Sequence, residues 1–466
     1  MEKIIEGKIE YNNEKYGFYY INNILTLIPD NALEDVWESI FSTLKERTVD
    51  TELLLEGITS SGHRIMFINV KLVKQSGGLY KAFVPAYIIG KTNMMKPLPV
   101  IDNFNSIVFY GKCIDNFLNP QKTLSLEDFD TKDKKIKLKK ILNKNIEIEN
   151  DIFNMGINYS LKCSEKNINT PLIVKSFLEI KFKDEKNVKE IVKYYRKVGE
   201  LFKFLYSRKY IRFTEIKLTS KGKVRDGKEI KDILNTFDFY YYLPDEDKID
   251  LPEEKNCIKY EQIKDYLGNI YLTVNKESIY KNYYNLNQEE QRKITINKYA
   301  NISSAFESWF DENFPKFKSD TNENYKMLKN KVLDFIKKCI DEEVEDENKE
   351  ILSWFKHDIN NMEGSLKEQI KYALNLFEGC IKNAKNNVVK QYNIEYSSEE
   401  ELNEKIANTF KETRNKIAHG NLKDEILFSD MDVVAYSIVE RLVKCLALYK
   451  SKVDIDTIKE IVDDRF

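Results

Sequence analysis

The sequence predicts a multidomain α+β protein with a β-rich N-terminal half and an all-α C-terminal half. Eight of the nine prolines precede residue 253, and only Gly364, Gly379 and Gly420 follow Gly268. Short β-branched and aromatic segments set off by Asn, Gly and Ser fill the first half, the mark of strands and turns. In the second half apolar residues recur every three or four positions, the period of a helix with one buried face. A chain of 466 residues exceeds one ordinary core and implies two or three domains. The expected division is 1–130, a sandwich or barrel-like β domain; 131–290, a second α+β portion; and 291–466, the all-α domain.

The expected strands of the first domain are Ile4–Tyr11, Tyr16–Leu25, Leu53–Thr59, His63–Val73, Leu79–Ile89 and Ile107–Ile114. A helix follows Pro29, its stripe formed by Leu33, Val36, Trp37, Ile40, Phe41 and Leu44. From Thr131 to Lys144 the chain is lysine-dense. Lysine is abundant throughout, so this stretch reads as a solvated linker before it reads as an RNA-facing patch. A strand Ile173–Lys183, a helix burying Val188, Ile191, Tyr195, Val198, Leu201, Phe202 and Leu205, and a strand Tyr210–Leu218 come next. Here Arg208, Lys209 and Arg212 alternate with Tyr206, Tyr210 and Phe213. Such interleaving suits single-stranded RNA, with bases stacked on rings and phosphates on cations. It equally suits an amphipathic helix and strand whose aromatics are buried and whose cations are solvated. Lys221–Lys231, with two glycines and many charges, reads as a mobile loop.

The helical half opens after Tyr280–Tyr284. Stripes are formed by Ile302, Phe306, Trp309 and Phe310; by Leu328, Val332, Phe335, Ile336 and Cys339; and by Ile351, Leu352, Phe355 and Ile359. Ser365 and Glu368 have capping-box spacing ahead of Leu366, Ile370, Leu374, Phe377 and Ile381, and Ser429 opens a last long helix. Short connections between long helices imply antiparallel packing in a bundle.

With 74 basic and 76 acidic residues the formal net charge is −2, so any nucleic-acid contact must come from local patches. The six cysteines include no Cys-x-x-Cys pair and no histidine at ligand spacing. That points to reduced thiols and away from a zinc site or disulfide framework. The first residues carry no apolar signal core and no run approaches membrane-spanning length. The expectation is a cytoplasmic protein with no membrane contact, no metal and no cofactor.

One helix concentrates the chemistry. Ser398 and Glu401 have capping-box spacing at its start, and Gly420 falls just past its end, where a left-handed C-cap is usual. Leu402, Ile406, Phe410, Thr413 and Ile417 form its stripe. At about 100° per residue, Asn415 and His419 point away from that stripe and Arg414 lies on its flank. A structural histidine would lie on or beside the stripe. A histidine on the open face, able to give and take protons near neutrality, suits general acid–base work. An arginine little more than a turn away suits a phosphate, and Asn415, four residues before His419, shares its face. These are the minimal groups for metal-free RNA cleavage with the ribose 2′-hydroxyl as nucleophile.

The spacing Arg414-Asn415-x-x-x-His419, ending an amphipathic helix in an all-helical region, resembles the Arg-x4-His motif of HEPN ribonucleases. The layout, a β-rich half before the helices, is similar to that of ApeA-like proteins of bacterial anti-phage defence. The resemblance covers residues from about 290 to 466; over the rest it is one of layout. It implies a HEPN bundle and an endoribonuclease whose catalytic residues are Arg414, Asn415 and His419. Its RNA substrate would be cut in abortive-infection defence, with a phage-derived product as a possible trigger. It also implies a homodimer through the HEPN domain, in which two motif helices build one composite site. Two other readings stay open: a non-catalytic HEPN-like module that binds RNA, a nucleotide or a partner, and a purely structural helical domain.

Overall fold

The computed structural model describes residues 4–29, 48–74, 79–90, 102–119, 124–130, 135–140, 143–148, 151–161, 172–226, 229–243, 257–276, 281–291, 293–315, 317, 323–361, 365–419 and 428–463. The chain divides into two compact units, Met1–Tyr260 and Glu261–Phe466. The division falls at neither 130 nor 290, and strands from both expected N-terminal portions share one sheet. The helix expected after Pro29 lies outside the described residues.

The first unit is built on an antiparallel sheet of thirteen strands. They include β1 (Ile5–Tyr11), β2 (Glu14–Ile21), β3 (Ile24–Pro29), β4 (Thr48–Thr59), β5 (Arg64–Lys74), β6 (Tyr80–Phe83), β7 (Ala86–Gly90) and β8 (Asn103–Tyr110). β9 (Leu124–Asp130) and β10 (Lys135–Lys140) form a separate ribbon. β11 (Asn143–Ile148), β12 (Asp151–Leu161), β13 (Leu172–Asn187), β14 (Glu215–Asp226) and β15 (Glu229–Tyr241) complete the large sheet, whose order is β11-β12-β13-β8-β14-β15-β7-β5-β4-β1-β2-β3-β6. Val73 and Lys74 of β5 also pair with β6, closing six strands into a barrel. The first half of β5, Arg64–Ile68, pairs with β7 instead and carries the sheet onward. β5 is therefore the strand that joins barrel to open sheet.

Local chemistry explains where the expected strands break. Tyr16–Leu25 is two strands, because Asn22 and Asn23 adopt φ of 49° and 65°. Asn12 and Asn13 do the same between β1 and β2, the left-handed pairs that a two-residue hairpin turn requires. Leu79–Ile89 breaks between β6 and β7, ahead of and at Pro85. Ile107–Ile114 ends at Tyr110, and Ile114 belongs to helix α1 (Lys112–Leu118). Lys135–Lys140, expected in a linker, is a strand whose lysines alternate with Ile136 and Leu138. The loop expected at Lys221–Lys231 is mostly ladder, with Lys221 opposite Leu234 and Asp226 opposite Glu229.

Barrel closure crowds the backbone of β1 against that of β4. Ile9, Phe18, Leu25, Leu27, Phe67 and Leu72 fill the interior. A Cβ on Gly7 would stand 2.1 Å from the Ile58 carbonyl oxygen and 2.7 Å from the Phe18 ring. Helix α2 (Ile191–Tyr206) lies in the same unit. It follows a 3-10 turn whose cap, the Asn187 side chain, accepts from the Lys189 N–H at 3.0 Å.

The second unit is helical. After a single turn at Tyr260–Ile263, it contains α3 (Leu267–Val274), α4 (Ile296–Asn313), α5 (Glu323–Glu342), α6 (Asp346–Asn361), α7 (Leu366–Leu376), α8 (Glu378–Gln391), α9 (Glu399–Ala418), α10 (Asp430–Lys450) and α11 (Ile455–Asp463), with a second single turn at Gln288–Gln291. α10 is the axis of the bundle: twelve of its residues from Val434 to Leu448 are buried, and α3, α4, α7, α8, α9 and α11 pack on it. The stripe running from Leu366 to Ile381 is broken at Phe377 into α7 and α8. No helix of the described residues is long and apolar enough to cross a membrane.

Replacing Gly7 by alanine should destabilise the protein by about 1–3 kcal/mol, since the added methyl meets backbone that cannot yield without opening the β1–β4 ladder. Gly17→Ala, whose nearest atom would be 3.9 Å away, should be near neutral. Urea unfolding of both variants beside the wild type checks the contrast.

Candidate functional site

The motif helix α9 is built as its spacing requires. The Ser398 side chain accepts the Glu401 N–H at 3.2 Å. Glu401 reaches back to the Ser397 N–H at 2.8 Å, and with Lys405 first among the causes its carboxyl is held down at about 2. Three glutamates in the first turn complement the positive end of the helix dipole. The helix runs to Ala418, and His419 is its C-cap residue, with φ −89° and its N–H on the Asn415 carbonyl. Gly420, the expected C-cap, lies outside the described residues.

Four neighbouring helices hold α9. Leu402, Ile406 and Phe410 are wholly buried, each contributing on the order of 1.5–3 kcal/mol. Phe410 stacks on Tyr299 of α4, ring centroids 4.7 Å apart. Thr413 donates to Asp432 of α10, and the same carboxylate completes the capping box of Ser429. On the α8 side the buried Lys385 bonds to Glu399 and, at 3.2 Å, to Asn403. On the α7 side Lys367 and Lys371 both pair with Glu404. Ser365, by contrast, makes no side-chain cap for α7.

The motif residues lie off the apolar stripe, Arg414 on its flank and Asn415 and His419 farther round. Asn415 and Arg414 are half-buried and His419 is exposed. Arg414 Nη1 donates to Asn415 Oδ1 at 3.3 Å, so these two side chains are brought together. Arg414 Nη2 also lies 3.3 Å from Oε1 of Glu307 on α4, their side chains 37% and 35% exposed. Glu307 in turn accepts the Ser303 hydroxyl at 3.3 Å. The carboxylate was not among the sequence candidates. Its signal was the Ser303–Glu307 spacing of one turn, with Glu307 off the Phe306–Phe310 stripe. The His419 ring is not joined to Arg414 or Asn415 by any hydrogen bond among the described residues. An anion reaching the Arg414 guanidinium therefore competes with Glu307.

The second group of candidates lies in the first unit and separates by burial. Arg208 is only 7% exposed, which corrects the expectation that it faces RNA. Lys209 is exposed, its Nζ 5.5 Å from the ring centroid of Tyr210. Arg212 is exposed and lines a cavity of about 520 Å³ with Tyr195, Phe213, Asp238, Tyr240 and Tyr241. The rings are largely engaged with protein. Tyr206 is buried and donates to the Cys113 carbonyl at 2.8 Å; burial, above all, pushes its hydroxyl pKa up. Phe213 packs on Phe109 and Phe202, and Tyr195 stacks on Tyr241 at 4.4 Å. This is the amphipathic arrangement, aromatics inward, in which Lys209 and Arg212 remain at the surface.

No family model, no curated protein and no solved structure matches the chain.

The seating of α9 should be acid-sensitive through Glu404. Hydrogen bonds from Lys367 and then Lys371 hold its carboxyl at about 2, below its ordinary 4.5. A carboxyl lowered in the folded state adds stability above its unfolded pKa and loses it as pH falls. The contribution is thus present above pH 4.5 and lost between 4.5 and 2. Glu404→Gln should lower stability at neutral pH and flatten the fall over that window. Urea titrations at a series of pH values check this; parallel wild-type and variant curves would refute it.

Proposed function

We propose that this protein is a metal-independent endoribonuclease of the HEPN type, with its site on the open face of α9. The observation that carries the reading is the division of that helix. Its apolar stripe packs on α4, α7 and α10, while Asn415 and the exposed His419 lie off that stripe and Arg414 lies on its flank, paired with Glu307 of α4. In the reaction Arg414, released from Glu307, binds the scissile phosphate and neutralises its charge. His419 moves the proton of the attacking 2′-hydroxyl or of the leaving 5′-oxygen. Asn415, already bonded to Arg414, holds the guanidinium in place. RNA is the substrate, and cleavage of RNA inside an infected cell would serve anti-phage defence, a phage product acting as trigger.

The proposed site belongs to a homodimer. Arg414 and His419 are about 140° apart around one ideal helix, so one helix aims them poorly at a common phosphate. Two copies of α9 related by a two-fold axis would set Arg414 of one beside His419 of the other, a self-complementary interface.

One observation favours a second reading. Because Glu307 already engages Arg414, the same face would serve as a non-catalytic module, in which a nucleotide, RNA or protein partner displaces the carboxylate without being cut.

Incubation of the purified chain with cellular RNA in excess chelator separates the two readings. The ribonuclease should leave 2′,3′-cyclic phosphate (or 3′-phosphate) and 5′-hydroxyl ends, and His419→Ala should lower the rate by about 10²–10⁴-fold with thermal melting nearly unchanged. Strict magnesium dependence or 5′-phosphate ends would overturn the mechanism. RNA binding without cleavage would establish the second reading.

Mixing inactive Arg414→Ala with inactive His419→Ala protein should restore part of the activity, because a mixed dimer holds one site with both residues intact. A monomer as active as the assembled protein would exclude a shared site.

A further inference from the structure

The α5–α6 hairpin departs from its expected role in the bundle core. Its two helices pack chiefly on each other among the described residues, along a seam that includes Leu333, the buried Ile336 and Leu352. Each helix carries a second apolar stripe, one residue back from the seam. On α5 it is Leu328, Val332 and Phe335, exposed by 59%, 43% and 67%; on α6, Ile351 and Phe355 at 52% and 56%, with Trp354 beside them at 71%. One residue back is a rotation of about 100°. In two antiparallel helices facing each other, the same rotation in each brings both stripes to the same side of the hairpin. One face of a two-helix projection is thus a contiguous apolar surface, of the kind that marks an interaction site.

Charge along the hairpin selects the occupant. Between 327 and 338, α5 carries Lys329, Lys331, Lys337 and Lys338 against Asp334 alone. From 341 to 350 the turn carries Asp341, Glu342, Glu343, Glu345, Asp346, Glu347 and Glu350 against Lys349. Within one hairpin, Lys338 and Glu342 pair at 3.7 Å across this gradient. A second hairpin laid in the same direction would stack two acidic turns. Laid in the opposite direction, with a two-fold axis near Phe335, it sets the acidic turn of each over the lysines of the other. Six residues beyond Phe335 toward the turn, to Asp341, and six back, to Lys329, each span about 9 Å. Asp341 of one copy then lies level with Lys329 of the other.

We propose that the α5–α6 hairpin is a self-association module, in which two copies of the chain pair antiparallel through Leu328, Val332, Phe335, Ile351, Trp354 and Phe355 into a four-helix bundle. The interface is isologous, as closed two-fold symmetry requires, and its packing is that of an antiparallel bundle. It is distinct from the contact between α9 helices and does not depend on ribonuclease activity. If both contacts form, each chain has two different partners, and assembly proceeds beyond a dimer.

Sedimentation of the full chain across a concentration series tests the module. The wild type should associate. Phe335→Asp combined with Trp354→Asp should weaken association at least about thirtyfold, the scale of central aromatic anchors. Both positions are exposed, so the thermal melt of the dilute protein should stay unchanged. Lys329→Glu with Lys331→Glu should also weaken association, and adding Asp341→Lys with Glu342→Lys should restore it, because each end then again meets its opposite. Arg414→Ala with His419→Ala should leave the hairpin contact intact. A wild type that is monomeric throughout, or aspartate variants that associate like the wild type, would overturn the proposal. Failure of the reversed charges to restore association would overturn the antiparallel arrangement.

Discussion

The second unit depends on the period of α9 meeting the buried axis of α10. Leu402, Ile406 and Phe410 must all face inward, and with them comes a fixed rotation of the helix. Thr413 reaching Asp432 and Phe410 stacking on Tyr299 set that rotation near its C-terminal end. Lys367 and Lys371 on Glu404 set it near the other. Once the apolar face is committed, the direction of Arg414, Asn415 and His419 follows. The direction of these polar side chains is set by packing on the apolar stripe.

That arrangement also explains the place of Glu307. An arginine held half-buried against α4 needs a partner to offset its loss of hydration, and Glu307 on α4 supplies one, itself tied to Ser303. The pair is only partly exposed, and a phosphate offers the guanidinium two charged oxygens in place of one carboxylate contact. Exchange of Glu307 for a phosphate thus gives the proposed site a resting and an engaged arrangement without moving the helix.

The first unit solves a different problem. A six-stranded barrel has little room inside, and β1 and β4 approach so closely that only glycine fits at Gly7 and Gly57. β5 serves two neighbours on one edge, closing the barrel with Val73 and Lys74 and extending the sheet with Arg64–Ile68. Strands far apart in the chain, β8 with β13 and β14, then meet in that extension.

Composition and periodicity alone determined the β-rich first half, the helical second half, the start of α9 at Ser398 and the side of α9 on which His419 lies. These are local properties: a cap, a turn residue or a 3.6-residue repeat acts within a few positions. They also contained signals passed over, the Asn22-Asn23 turn and the alternation of Lys135–Lys140, because abundant asparagine and lysine masked them. Tertiary structure decided what depends on distant residues. The unit boundary at Tyr260, the closure of the barrel through β5 and β6, the Glu307 partner of Arg414 and the burial of Arg208 all depend on contacts between residues far apart in the chain. The hairpin shows the difference most directly. Its two apolar stripes are legible as residues, but only the fold shows that one stripe is spent on the hairpin seam and the other is left facing outward.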